Sequence, residues 1–202
     1  MSSGFPLILA STSPRRFDLM TEAGLDFTVV TAEVEEFHDE AVPVAELTRQ
    51  NAALKAEWVA ARHPDTWVIG ADTLVSIDRQ ALGKPADLAE AARMLGRLSG
   101  RTHVVGTAVC LIHAVSGRRH EFLEETLVTF KPLTESEIVH YLTLINPLDK
   151  AGSYAAQEHG EVIIEKVEGA YSNVVGLPME RLLVELTAVG ALADDGIGRA
   201  IS

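Results

Sequence analysis

Two arginines in the first turn of a helix are an electrostatic misfit, and Ser11-Thr12-Ser13-Pro14-Arg15-Arg16 spells one. Ser13 reads as the N-cap and Pro14 as the first helical residue. Arg15 and Arg16 then sit at the positive end of the helix dipole, where Asp or Glu is preferred. An anion at that end removes the conflict, because it meets free backbone N–H groups, the hydroxyls of Ser11 and Ser13 and a guanidinium fork together. The alternative is that both arginines point into solvent.

Gly70-Ala71-Asp72-Thr73 places a carboxylate where a buried strand ends, and that edge of a sheet commonly holds ligands. Asp72 there can hold Mg²⁺, act as a general base on water, or be an ordinary turn residue. Gly83-Lys84-Pro85 is only superficially the tail of a phosphate loop. Position 78 is Asp where such a loop needs Gly, and Pro85 stands where Ser or Thr binds magnesium. Lys84 is left as a single mobile charge able to contact phosphate. Glu33, Glu35 and Glu36 form a carboxylate run that suits a hydrated Mg²⁺ or a solvated face. Lys55 lies one helix on, with an ordinary surface lysine as its alternative reading. The seven histidines show no H-x-H or H-E-x-x-H spacing, which argues against a dedicated zinc site, and neither G-x-S-x-G nor G-x-G-x-x-G occurs.

These residues belong to a chain of 202 residues with 47% apolar and 23% charged side chains, the usage of an ordinary globular protein with a sizeable core. Its net charge of −12 disfavours binding of a nucleic acid polymer. A small polyanion needs a local Arg/Lys cluster or a bridging divalent cation, and both are on offer. The single Cys110 lies in an apolar run and reads as a buried structural thiol. No apolar span approaches the ~20 residues of a membrane helix, and no signal peptide is evident, so no membrane contact and cytoplasmic residence are expected.

The elements that must position the candidates follow from periodicity. Leu7–Ala10 reads as a buried strand, then a helix runs to about Ala23, stopped by Gly24, and a strand covers Phe27–Val30. A helix is expected from Val44 to Arg62, and a strand from Trp67 that continues as a hairpin through Ser76-Ile77 and back towards Leu82. Next come a helix over Leu88–Leu98, strands over Thr102–Val115 and Glu121–Phe130, and a helix opened by the capping box of Thr134 and Glu137. A strand over Val162–Val167 and a helix over Pro178–Val189 complete the order. Strands and helices alternate before a hairpin-rich middle, which predicts an α/β fold: a mixed sheet with flanking helices. A single domain is expected over residues 1–190, with a second lobe at about 87–148 leaving a cleft, and a loose tail over 191–202.

The ordered set of motifs resembles the Maf family of nucleotide pyrophosphatases over roughly Leu7 to Leu186. It comprises Ser11-x-Ser13-Pro14-Arg15-Arg16, Glu36, Lys55, Gly70-Ala71-Asp72-Thr73, Gly83-Lys84-Pro85, Asp149-Lys150-Ala151-Gly152-x-Tyr154, Gln157 and Asn173-Val174-Val175-Gly176-Leu177-Pro178. The resemblance implies an inosine-triphosphatase-like fold with two lobes around a cleft, dependence on Mg²⁺ or Mn²⁺, and cleavage of a nucleoside triphosphate to monophosphate and pyrophosphate. It further implies Asp72 as proton acceptor, catalytic roles for Glu36, Lys55 and Lys84, substrate binding by Ser11, Ser13 and Arg16, a metal held by Asp72 and Glu36, and a homodimer. Arg15, Thr73 and Gln157 match the branch acting on dTTP and UTP. The competing readings are the 7-methyl-GTP branch, which carries Trp and Gln in place of this Arg and Thr, and a nucleotide-binding regulator of septum formation without turnover. Ala155-Ala156 and Glu158-His159 depart from the family's usual residues and bear on the size of the pocket.

Overall fold

The computed structural model describes residues 6–39 and 41–193. Strands β1 (Leu7–Ala10), β2 (Phe27–Val29), β3 (Trp67–Ile77), β4 (Gln80–Leu82), β5 (Thr102–His113), β6 (Arg118–Phe130) and β7 (Ile164–Glu168) form one seven-stranded sheet. Its order is β2-β1-β3-β5-β6-β7, with β4 paired to β3. β2, β1 and β3 run parallel, whereas β3, β5, β6 and β7 are antiparallel neighbours. This is the mixed sheet expected from a chain that alternates first and forms hairpins later.

The two-residue period of a strand sorts the core. Leu7, Leu9, Trp67, Ile69 and Ala71 face one layer, formed by helices α1 (Pro14–Glu22) and α7 (Met179–Ala188) through Met20, Leu182 and Leu186. The alternate residues Ile8, Ala10 and Val68 face α2 (Val44–Ala60), whose Ala52, Ala56 and Val59 are fully buried. A third cluster gathers the far ends of β3, β5 and β6 with helices α3 (Leu88–Leu98) and α4 (Glu135–Leu144) around Leu95, Phe130 and Tyr141. This cluster shares its long strands with the other two, and Val75, Ile77, Leu82, Tyr154 and Ile163 join it alongside members from residues 87–148.

α3 has the expected bounds, and Asp87 caps it by accepting from the Glu90 N–H at 2.7 Å. The capping box of Thr134 and Glu137 is closed in both directions. The expected Val162–Val167 strand is corrected at its start. Residues Gly160–Ile163 form the short helix α5, and β7 begins only at Ile164, beside a register shift at Thr129/Phe130. Short helix α6 (Tyr171–Val175) follows β7. Ala191, placed by sequence in the loose tail, is buried, and Leu192 packs against the same cluster; residues 194–202 lie outside the described residues. Cys110 is buried, and burial with the Glu121 carboxylate pushes its thiol up to about 12, which leaves it unreactive.

Candidate active site

β1 and β3 are parallel neighbours with Ala10 opposite Gly70, so Ser11, just past the end of β1, lies beside Asp72, which stands within β3 opposite Ala108 of β5 and not at the strand's end as expected from the sequence. They open on a cleft of about 1070 Å³. Seven of the chain's 17 Lys and Arg residues line it, against Glu36, Asp39, Asp72 and Asp149 of its 29 acidic residues. A chain of net charge −12 thus concentrates positive charge in one concavity, the local exception its composition required for a polyanionic ligand.

At the floor, Lys55 Nζ lies 2.7 Å from Asp72 Oδ1 and 2.7 Å from Glu36 Oε1. Three separate stretches of sequence meet here, and Gly70 explains how. A Cβ at Gly70 would stand 2.4 Å from the Ala52 carbonyl oxygen and 2.7 Å from Ala56 Cβ. The missing side chain lets α2 lie directly on β3, at the height that brings the Lys55 ammonium onto Asp72. Asp72 is 6% exposed, and its Oδ2 is buried without a hydrogen-bond partner. Half-burial pushes the Glu36 carboxyl up, but the Lys55 hydrogen bond and charge, with Lys84 and His38 beyond, outweigh it and hold Glu36 below the ordinary carboxylate range. Lys84 is exposed in the cleft and near enough to act on Glu36 through its charge.

Ser13 stands at the N-cap of α1 but makes no side-chain cap bond; its N–H donates instead to Ser11 Oγ at 3.1 Å. The dipole misfit is resolved differently for the two arginines. Arg16 turns into the wall: its Nε donates to the Gly176 carbonyl (2.8 Å), one terminal nitrogen to the Ala71 carbonyl (2.9 Å) and Ser11 Oγ (3.2 Å), and the other to Thr73 Oγ1 (2.9 Å). Four of the five donors of a guanidinium are thereby committed to protein oxygens. Burial lowers the pKa of Arg16, with the Asp72 charge opposing. Arg15 stays partly exposed and pairs with Asp149 at 3.6 Å. Burial tends to raise Asp149, but the Lys150 hydrogen bond and charge, then Arg15, hold it below its ordinary value. Thr73 Oγ1 also meets Thr107 Oγ1 at 2.9 Å, so that hydroxyl is engaged within the wall. Gln157 is exposed on the cleft rim.

The structure thus gathers all the sequence candidates around one cleft, apart from Glu33 and Glu35, which do not line it. It also gives places to residues that carry no assigned role in the sequence. Gly176, at φ 133°, offers the carbonyl that receives Arg16. Asn173 is fully buried and donates to the Val105 carbonyl and to Thr126 Oγ1, each at 3.0 Å, which seats α6 on the sheet. Asn51 donates to the Phe37 carbonyl at 3.2 Å and accepts from the Phe37 N–H at 2.8 Å. Its place one helical turn before Lys55 was the available clue.

Among the described residues no group of three His, Cys, Asp or Glu is poised to hold a metal, and no helix is long and apolar enough to cross a membrane. The two carboxylates of Asp72 and Glu36, one with a bare buried oxygen, nevertheless fit Mg²⁺ or Mn²⁺. Magnesium is commonly held by one or two carboxylates completed by substrate phosphates and water.

The dTTP/UTP pyrophosphatase of Akkermansia muciniphila is 48% identical over 185 residues, covering 92% of this chain and 97% of the relative. That of Symbiobacterium thermophilum is 46% identical over 187 residues, covering 91% and 94%. The Staphylococcus aureus Ham1 protein shares the fold with a TM-score of 0.50 at 15% identity, over 91% of this chain and 99% of that one. The family described as Maf-like protein matches residues 6–189, and this chain belongs to it.

Proposed function

We propose that this chain hydrolyses dTTP and UTP between the α- and β-phosphates, releasing the nucleoside monophosphate and pyrophosphate. The observation that carries the reading is the Asp72 carboxylate. One oxygen is fixed by Lys55 at 2.7 Å and the other is buried without a partner, at the floor of a cationic cleft. With no protein donor on that oxygen, its lone pairs are left for the proton of a water that substrate binding brings to it. The water oxygen bonds to the α-phosphorus, the bond from that phosphorus to the bridging oxygen breaks, and pyrophosphate leaves with the electron pair.

Lys55 orients Asp72, and Lys84, exposed in the cleft, offsets charge on the departing pyrophosphate. Asp72 and Glu36 would hold the divalent cation, which when bound supplies Lewis-acid neutralisation of phosphate oxygens. Arg16 works as a brace, keeping Ser11, Thr73 and the Gly176 loop in register, while Ser11 and Ser13 border the phosphate end. Arg15 and Gln157 select the base, and Thr73, its hydroxyl held in the wall by Arg16 and Thr107, shapes the pocket beside them. The exposed carboxamide of Gln157 both donates and accepts, as a uracil or thymine edge requires. A homodimer in the cytoplasm completes the proposal, resting on the family resemblance, and light scattering with cell fractionation tests it.

The test of function is pyrophosphate release from dTTP, UTP, CTP, GTP and 7-methyl-GTP with Mg²⁺ or Mn²⁺, and with EDTA as control. Metal-dependent turnover of dTTP and UTP, lowered ~10²-fold or more by Asp72→Asn, is expected. Preference for 7-methyl-GTP would overturn the base assignment, and nucleotide binding without turnover would leave a regulator.

A further inference from the structure

Glu36 lies in a stretch, residues 30–39, that has no regular secondary structure, yet its carboxylate is 2.7 Å from Lys55. An ion pair with a carboxylate 38% exposed is too weak to immobilise an irregular segment by itself. A second attachment stands next to it. Both backbone polar groups of Phe37 are satisfied by one side chain, the carboxamide of Asn51, which is 2% exposed. Asn51 offers Phe37 the donor and acceptor pair that a neighbouring strand would offer. It stands on α2 one turn before Lys55, and α2 is set against β3 by the close approach at Gly70.

We propose that Asn51 is a positioning residue for the reaction, clamping the backbone beside Glu36 so that its carboxylate stays at Lys55 and Asp72. The inference rests on the reading of Asp72 and Glu36 as the working carboxylates. Among the amino acids of this size, asparagine alone matches the clamp. Leucine has the volume but leaves the Phe37 N–H and C=O unpaired, and aspartate keeps the acceptor but loses the donor and adds a negative charge. The dependence on Glu36 separates positioning from mere support of the fold. If Asn51 acts through Glu36, removing the clamp matters only while Glu36 is there to be positioned.

The experiment is a double-mutant cycle of Asn51→Leu and Glu36→Gln. It is read by kcat and KM for dTTP, and independently by Mn²⁺ binding followed by electron paramagnetic resonance without turnover. Asn51→Leu is expected to lower kcat and weaken Mn²⁺ binding by roughly 10-fold or more with KM for dTTP moving little, the usual scale for a group that orients a metal-binding carboxylate. In the Glu36→Gln background the same substitution should change neither quantity by more than about 2-fold, in keeping with full coupling. Losses that multiply across the two sites, or Mn²⁺ binding unchanged by Asn51→Leu, would overturn the inference. A fully active Glu36→Gln enzyme would instead overturn the reading of Glu36 itself. If Asn51→Leu does not fold, Asn51→Asp carries the same cycle, because it keeps the volume and the bond from the Phe37 N–H.

Discussion

Replacing Lys55 with methionine removes an ammonium that lies 2.7 Å from each of two carboxylates, and the structure fixes how the loss divides between them. The Asp72 side chain is 8% exposed, so this half is a buried pair, for which deleting one partner costs about 3–5 kcal/mol. The Glu36 side chain is 38% exposed, so solvent screens its half to under about 1 kcal/mol. A loss of about 3 kcal/mol at pH 7 follows, or roughly 6–12 °C in melting temperature for a domain of this size. The sign of the pH dependence is a stricter test. In the native protein Glu36 titrates below its unfolded value of 4.5, so its contribution is present above pH 4.5 and fades as pH falls through the folded value. Without the ammonium, the burial that already pushes the Glu36 carboxyl up is no longer outweighed, and its protonation then relieves the variant as pH falls. The deficit relative to the native chain should therefore shrink as pH falls from 7 to 4.5. Urea unfolding at the two pH values measures it. A deficit below about 1 kcal/mol at pH 7, or one that is flat with pH, refutes the reasoning.

Three further outcomes are expected. His103 is 2% exposed, shares a 2.8 Å hydrogen bond with the Tyr154 hydroxyl, and is driven down from 6.5 to about 4 by burial. The unfolded chain therefore binds the extra proton first. Stability present above pH 6.5 drains away towards pH 4 by on the order of 3 kcal/mol, and His103→Gln should flatten that slope in urea titrations. Arg79 occupies the second central position of the two-residue β3–β4 turn at φ 64°, where glycine is at home. Arg79→Gly should relieve about 1–2 kcal/mol of strain against about 0.4–1 kcal/mol of added chain entropy, so calorimetry should find a higher melting temperature. Gly70→Ala must push α2 off β3, because its Cβ would stand 2.4 Å from the Ala52 carbonyl oxygen. A loss of about 1–3 kcal/mol together with a ~10-fold or greater fall in turnover is expected, and undiminished stability would show that the close approach is dispensable.

What the sequence made legible was what local physics controls. The α3 bounds, the Thr134–Glu137 box and the buried strand Leu7–Ala10 depend on neighbours within one turn or one strand, and each is found as expected. Val162-Ile163-Ile164 reads as strand in the sequence and is helix up to Ile163 in the fold, because a short apolar run has no period that separates one helical turn from a strand. The site was legible in a different way. Arg15 and Arg16 were conspicuous because they break the dipole rule, and the break does mark the cleft. Yet Arg16 is answered by carbonyl oxygens of Ala71 and Gly176, 55 and 160 residues away in the chain, and not by solvent. No local pattern names a partner at that separation. Asn51 was silent for the complementary reason: a lone asparagine in a helix violates nothing strongly enough to be noticed, and its worth lies in the backbone of Phe37, which has no sequence signature. Residues that break a local rule therefore point to a site, whereas those that hold the rule-breakers in place emerge only when the chain is folded. That division places the proposed base, Asp72, among the residues that sequence can find, and the clamp at Asn51 among those it cannot.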